Sequence, residues 1–192
     1  FEYLSSLELT ELGQPVIGRL CDAINYPCNL VVRDQRHIVY VAKVTPPAPL
    51  TSSVRVGTRL PAHATVLGRV LLGDPSLAEL RHLYPEEHLE VFSSSTPTTT
   101  LALFNMVKAD CERGYAQGEG FFERSISTVA APVRDHTRRI VAALGVTVPS
   151  AHIEESLLEE LVQRVRASAE ELSALLNYQP ADGRANTVVA LR

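Results

Sequence analysis

No stretch of this sequence approaches the roughly 20 consecutive apolar residues that a membrane-spanning helix needs, and no signal peptide is recognisable at its start. A membrane partner is therefore not expected. Basic residues are also thinly spread. The nearest grouping is Arg134 with Arg138 and Arg139, which reads as a hairpin turn. With a formal net charge of -4, the chain lacks the concentrated positive face that neutralising nucleic-acid phosphates requires, so it is not expected to grip DNA by itself. Cysteine is scarce. Cys21, Cys28 and Cys111 are odd in number and lack zinc spacing, and they read as reduced, mostly buried thiols of a cytoplasmic protein. His37, His63, His82, His88, His136 and His152 are scattered without ligand spacing, so no metal site is expected. A glycine-rich phosphate loop and a Ser-His-Asp signature are both missing, which leaves no cofactor and no catalytic residue to name.

What the chain does have is the composition of an ordinary globular domain. Of its 192 residues, 45% are hydrophobic and 21% charged, enough for one well-packed domain or one domain with an appended helix. Leu9, Leu12, Val16, Ile17, Leu20 and Ile24 form one helical stripe. Pro15 either marks the start of that helix near Gln14 or kinks it. Cys28 to Arg33 and Ile38 to Val44 read as a hairpin, and Thr51 to Val56 as a further strand ending at Gly57. A helix is expected from His63 to Leu72 with Pro61 in its first turn, and a short one from Ser76 to Leu83 with Asp74 or Ser76 as N-cap. Another, with Leu101, Phe104, Val107 and Cys111 on one face, ends at Gly114. Tyr115 to Gln117 is a short strand, followed by Gly118-Glu119-Gly120 as flexible punctuation. Ile126 to Arg134 and Ile140 to Val148 form the strongest hairpin, so apolar that both faces are expected to be covered. A last helix spans Ile153 to Leu176, and residues 179–192 read as a disordered tail. The order points to an α+β fold with an antiparallel sheet covered by helices.

Three stretches, taken in order and spacing, resemble the C-terminal effector-binding domain of IclR-type bacterial transcription regulators: Gly57 to Leu72, Cys111 to Tyr115, and Val129 to His136 leading into Val141 to Val148. The resemblance covers about residues 3–178. It implies a GAF-like domain over residues 26–178, preceded by a linker helix at 1–25 that follows an absent winged helix-turn-helix domain. The start at Phe1 without an initiator Met fits such a fragment. It also implies a pocket for a small effector, often a carboxylic acid, and a homodimer or homotetramer whose arrangement answers to that effector. DNA would be engaged only through the N-terminal domain. The run Gly57 to Leu72 looks closest to regulators of aromatic-compound catabolism, which points to an aromatic or other carboxylic acid.

The resemblance carries effector contacts onto Val66 and Leu67, where a helix N-terminus offers unpaired N–H groups to an anion. The same small-residue stretch could instead let the helix lie close to the sheet. Alternation places Ile126 and Thr128 on one face of their strand, and Gly145 and Thr147 on one face of theirs, positions that the resemblance assigns to pocket-lining apolar and hydroxyl groups. A Thr hydroxyl suits a carboxylate oxygen, though Thr is also a good strand former. At Gly118 the chain departs from the family, which usually places a ligand-facing Asp there; Glu119 is the nearest acid. Ser52 and Pro49 align with the pocket rim, and Phe121 and Phe122 could form a lid or subunit contact. Two alternatives stand beside the regulator: a small enzyme, for which Glu119 with His63 is the one constructible pair, and a GAF-like signalling module outside transcription.

Overall fold

Strand-forming Val and Ile runs, broken by polar pairs, set up the centre of the molecule. A computed structural model describes residues 2–47, 54–120 and 125–180. Strands β1 (Cys28–Asp34) and β2 (His37–Val44) form a hairpin with Gln35-Arg36 at its tip, and Gln35 takes a φ of 52° to close the turn. The β3 strand (Arg59–Pro61) borders β2. Further along the chain come β4 (Ala116–Glu119), β5 (Ile126–Arg134) and β6 (Ile140–Pro149). Every pairing is antiparallel, in the order β3-β2-β1-β6-β5-β4.

The sheet is buried on both faces, which explains why β5 and β6 are apolar at almost every position. One face, with Leu30, Leu144, Val146 and Val148, packs under α1 (Glu2–Ile24) and α5 (Glu155–Leu175). The other, with Val31, Ile38, Tyr40, Ala130 and Ala143, packs under α2 (Val66–Leu71), α3 (Leu77–Leu83) and α4 (Thr100–Arg113). This is the α+β arrangement expected from the order of elements. The α1 helix runs through Pro15 rather than starting at it. It lies directly on the sheet at Gly13, where a Cβ would fall 2.5 Å from Leu30 Cδ2. From Leu9 onward its buried residues belong to the same core as the sheet.

Several local expectations need correction. The helix expected from His63 to Leu72 is two pieces: a 3-10 turn, Ala62–Ala64, and α2, separated by Thr65 in extended backbone. Pro61 closes β3 instead of opening a helix. Of the strand expected from Thr51 to Val56, residues 51–53 lie outside the described residues; Val54 to Val56 are not strand but lead into a turn, Arg55 to Thr58, with Gly57 at φ +89°, and Tyr40 exchanges backbone hydrogen bonds with Gly57 and Thr58. Ser76, not Asp74, caps α3, through a reciprocal capping box with Glu79. Asp74 instead accepts the Ile140 N–H at 2.6 Å and pairs with Arg134. Gly118 and Glu119 belong to β4. In α4 the buried stripe is Thr100, Leu103, Val107 and Asp110; Leu101 and Cys111 are exposed, so two of the three thiols are buried. Gly114 does end α4, at φ 78°.

Candidate functional site

Thr65 breaks the backbone so that a new helix can begin. Its hydroxyl accepts the Gly68 N–H at 3.1 Å, a side-chain N-cap for α2. The N–H groups of Val66 and Leu67, first in that helix, have no intrahelical acceptor. Close packing fixes where they sit. A Cβ on Gly68 would meet the Ala62 carbonyl oxygen at 2.0 Å, and one on Gly145 would meet Leu67 Cδ2 at 2.7 Å. Glycine at 68 lets the start of α2 fold closely against the preceding 3-10 turn, and glycine at 145 lets it rest on the sheet. Val66 and Leu67 are themselves buried in the core.

Strand register then brings part of the expected set together. Gly118 lies opposite Thr128, and Thr128 opposite Thr147. Residues directly opposite share a face, so the three form one row across β4, β5 and β6. Both threonines are half-buried. Gly145, two residues before Thr147, carries the row toward Leu67. Ile126 shares the face of Thr128 at the strand end, opposite Pro149. Glu119 does not join the row: it is exposed and pairs with Ser127, one position out of phase, while its carbonyl accepts from the Ser95 hydroxyl at 3.3 Å. Ser52, Pro49, Phe121 and Phe122 lie outside the described residues.

Two residues that sequence reasoning passed over complete the surroundings. Asn29 on β1 is 3% exposed, lies opposite Gly145, and donates from Nδ2 to Thr147 Oγ1 at 3.3 Å. A polar residue inside Cys28-Asn29-Leu30-Val31-Val32 was the available signal. Arg69 on α2 is equally buried. It donates from Nε and Nη2 to the Asp110 carboxylate at 2.8 and 3.2 Å, and from Nη2 to the Gln117 carbonyl at 2.9 Å. Arg113 also contacts Asp110. Burial pulls the Arg69 pKa down while Asp110 opposes the shift, and a guanidinium stays charged regardless. This fork ties α2 to α4 and to β4, holding Gly118 in place relative to the start of α2. The signal in the sequence was an Arg inside the apolar run Val66 to Leu72.

His63 behaves as a satisfied buried histidine: a ring nitrogen lies 2.8 Å from the Glu90 carbonyl and the ring stands edge-on to Tyr84 at 5.6 Å. No hydrogen bond joins it to Glu119 among the described residues. Among the described residues no group of three or more His, Cys, Asp or Glu is placed to hold a metal ion, and no helix is long and apolar enough to cross a membrane.

The family model for the bacterial transcriptional regulator IclR C-terminal domain matches residues 1–174. This chain belongs to the IclR family, as a C-terminal domain. It is 26% identical over 175 residues to the HTH-type transcriptional regulator XynR of Escherichia coli, covering 91% of this chain and 69% of XynR. The crystal structure of the C-terminal domain of the E. coli regulator KdgR superposes with a TM-score of 0.79 at 24% identity, over 88% of this chain and 99% of that one. The PobR inducer-binding domain from Acinetobacter, a double mutant in complex with 3-hydroxybenzoic acid, gives a TM-score of 0.79 at 24% identity, covering 86% and 97%. Curated relatives of this IclR domain are transcriptional regulators, and the domain is regulatory rather than enzymatic. The GAF-like α+β architecture expected from the motifs is the architecture of these neighbours.

Proposed function

We propose that this IclR domain senses a small carboxylic acid, aromatic acids included, held between the row Gly118–Thr128–Thr147 and the first turn of α2. The observation that carries the reading is the register that sets two half-buried hydroxyls side by side on the face covered by α2, whose first N–H groups lack intrahelical partners. Hydroxyls and backbone N–H groups are suitable donors for a carboxylate, which accepts at two oxygens. The PobR complex, an acid bound to a domain of the same fold, supports the class of ligand. Glycine at position 118 leaves room where an acidic side chain would otherwise reach, which favours an effector larger on that side or without a group for an Asp to engage.

In this proposal the effector acts by differential affinity in the cytoplasm. It binds one arrangement of a homodimer or homotetramer better than another and shifts the population, with coupling energies typically about 1–3 kcal/mol. DNA is read by the N-terminal portion of the full-length regulator. The test is native mass spectrometry of the domain purified without added ligand, followed by scattering of the oligomer with and without the identified acid. A co-purifying carboxylic acid that alters the scattering profile supports the reading. A ligand without an acidic group refutes the carboxylate assignment, and an unchanged profile at saturation refutes the rearrangement.

A further inference from the structure

Asn29 carries an unresolved polar account at the buried end of the threonine row. Its Nδ2 donates to Thr147, yet its Oδ1 is fully enclosed and finds no hydrogen-bond partner among the described residues. Leaving a buried acceptor unmade is costly, and a β-strand position opposite Gly145 would otherwise suit Val or Leu. Turning the amide over does not remove the problem. Oδ1 would then accept from Thr147 and the NH2 would be the unmatched end. The side chain shares the face of Gly145, which is packed by Leu67 at the start of α2.

We infer that Asn29 is a specificity-determining residue that, with Thr147, reads a hydroxyl group of the effector, so that the ligand is a hydroxylated molecule rather than a plain acid. A hydroxyl both donates and accepts, and so satisfies Asn29 in either amide orientation. The inference rests on the proposed effector site but adds a second recognition point, on β1, separate from the carboxylate. A site built to hydrogen-bond a ligand hydroxyl disfavours the analogue lacking it, because its own buried polar group is then unmatched.

The experiment is calorimetric titration of this domain with matched pairs: benzoate against 3-hydroxybenzoate, propionate against lactate, and the neutral benzamide against 3-hydroxybenzamide. The expected result is about tenfold tighter binding of the hydroxylated member in at least one pair. In Asn29→Leu that preference falls to within about twofold. Asn29→Val carries the same test if the leucine variant does not fold. A preference absent from the wild type, or one that survives both substitutions, overturns the inference. If only the neutral hydroxylated probe binds, and does so in an Asn29-dependent manner, the inference stands and the carboxylate reading fails. If no member of any pair binds, both fall.

Discussion

Replacing Asp110 with Asn tests how α2 is held against the rest of the site. The substitution preserves shape and removes the charge facing Arg69, which is 3% exposed and donates two of its hydrogen bonds to that carboxylate. Breaking a buried pair by removing one partner typically costs about 3–5 kcal/mol, because the remaining charge loses its compensation. The contact of Arg113 adds little, since that side chain is 42% exposed. For a chain of this size about 2–4 °C is lost per kcal/mol, so Asp110→Asn is expected to lower the melting temperature by about 6–20 °C. Arg69→Met combined with Asp110→Leu removes both charges and is expected to recover most of the loss, giving a coupling energy of about 2 kcal/mol or more. Calorimetric or circular-dichroism melts of the wild type, Arg69→Met, Asp110→Leu and the double variant form the cycle. A loss below about 1 kcal/mol for Asp110→Asn, or a double variant as unstable as the sum of the singles, would refute the role of the fork.

Other expectations follow from single side chains. Burial, partly offset by Arg36 and Arg33, pushes the Tyr84 phenol up to about 12. An unfolded phenol titrates near 10, so above that pH the folded state keeps a proton the unfolded state has lost, and stability falls between about pH 10 and 12. Tyr84→Phe is expected to flatten that slope in alkaline denaturation. It should cost under about 1 kcal/mol at neutral pH, because the hydroxyl, beside the His63 backbone, makes no hydrogen bond of good geometry. Gly145→Ala forces a methyl against Leu67 and should lose about 1–3 kcal/mol in urea unfolding; no loss would mean α2 rests less tightly on β6. Ser76→Ala removes the cap of α3 and should lose about 1 kcal/mol by the same measurement.

The sheet was legible because its physics is local. The alternation and near-continuous apolarity of Ile126 to Arg134 and Ile140 to Val148 give strands covered on both faces, and Gly114 marks a helix end. What escaped depends on partners distant in sequence. The expected stripe Leu101, Phe104, Val107 and Cys111 left out Thr100 and Asp110, yet Thr100 is buried because its hydroxyl donates to the Tyr84 carbonyl at 3.1 Å, and Asp110 because Arg69 neutralises it. Helical periodicity across Ala62 to Leu72 hid the break at Thr65, since a capping threonine keeps the apolar spacing intact. In the candidate site, Thr128 and Thr147 came from alternation together with the family resemblance, and Val66 and Leu67 from the resemblance. Asn29 needed the register of β1 against β6, and the phase of Glu119 needed the register of β4 against β5.

The most direct test of the effector site is a thermal melt of the domain with a panel of small carboxylic acids, repeated on a Thr128→Val, Thr147→Val double variant. An acid present at 100 times its dissociation constant should add about 2.7 kcal/mol, or about 5–11 °C here, and the double variant should lose most of that shift. A panel in which no acid raises the melting temperature, or a shift that the double variant keeps in full, would contradict the site.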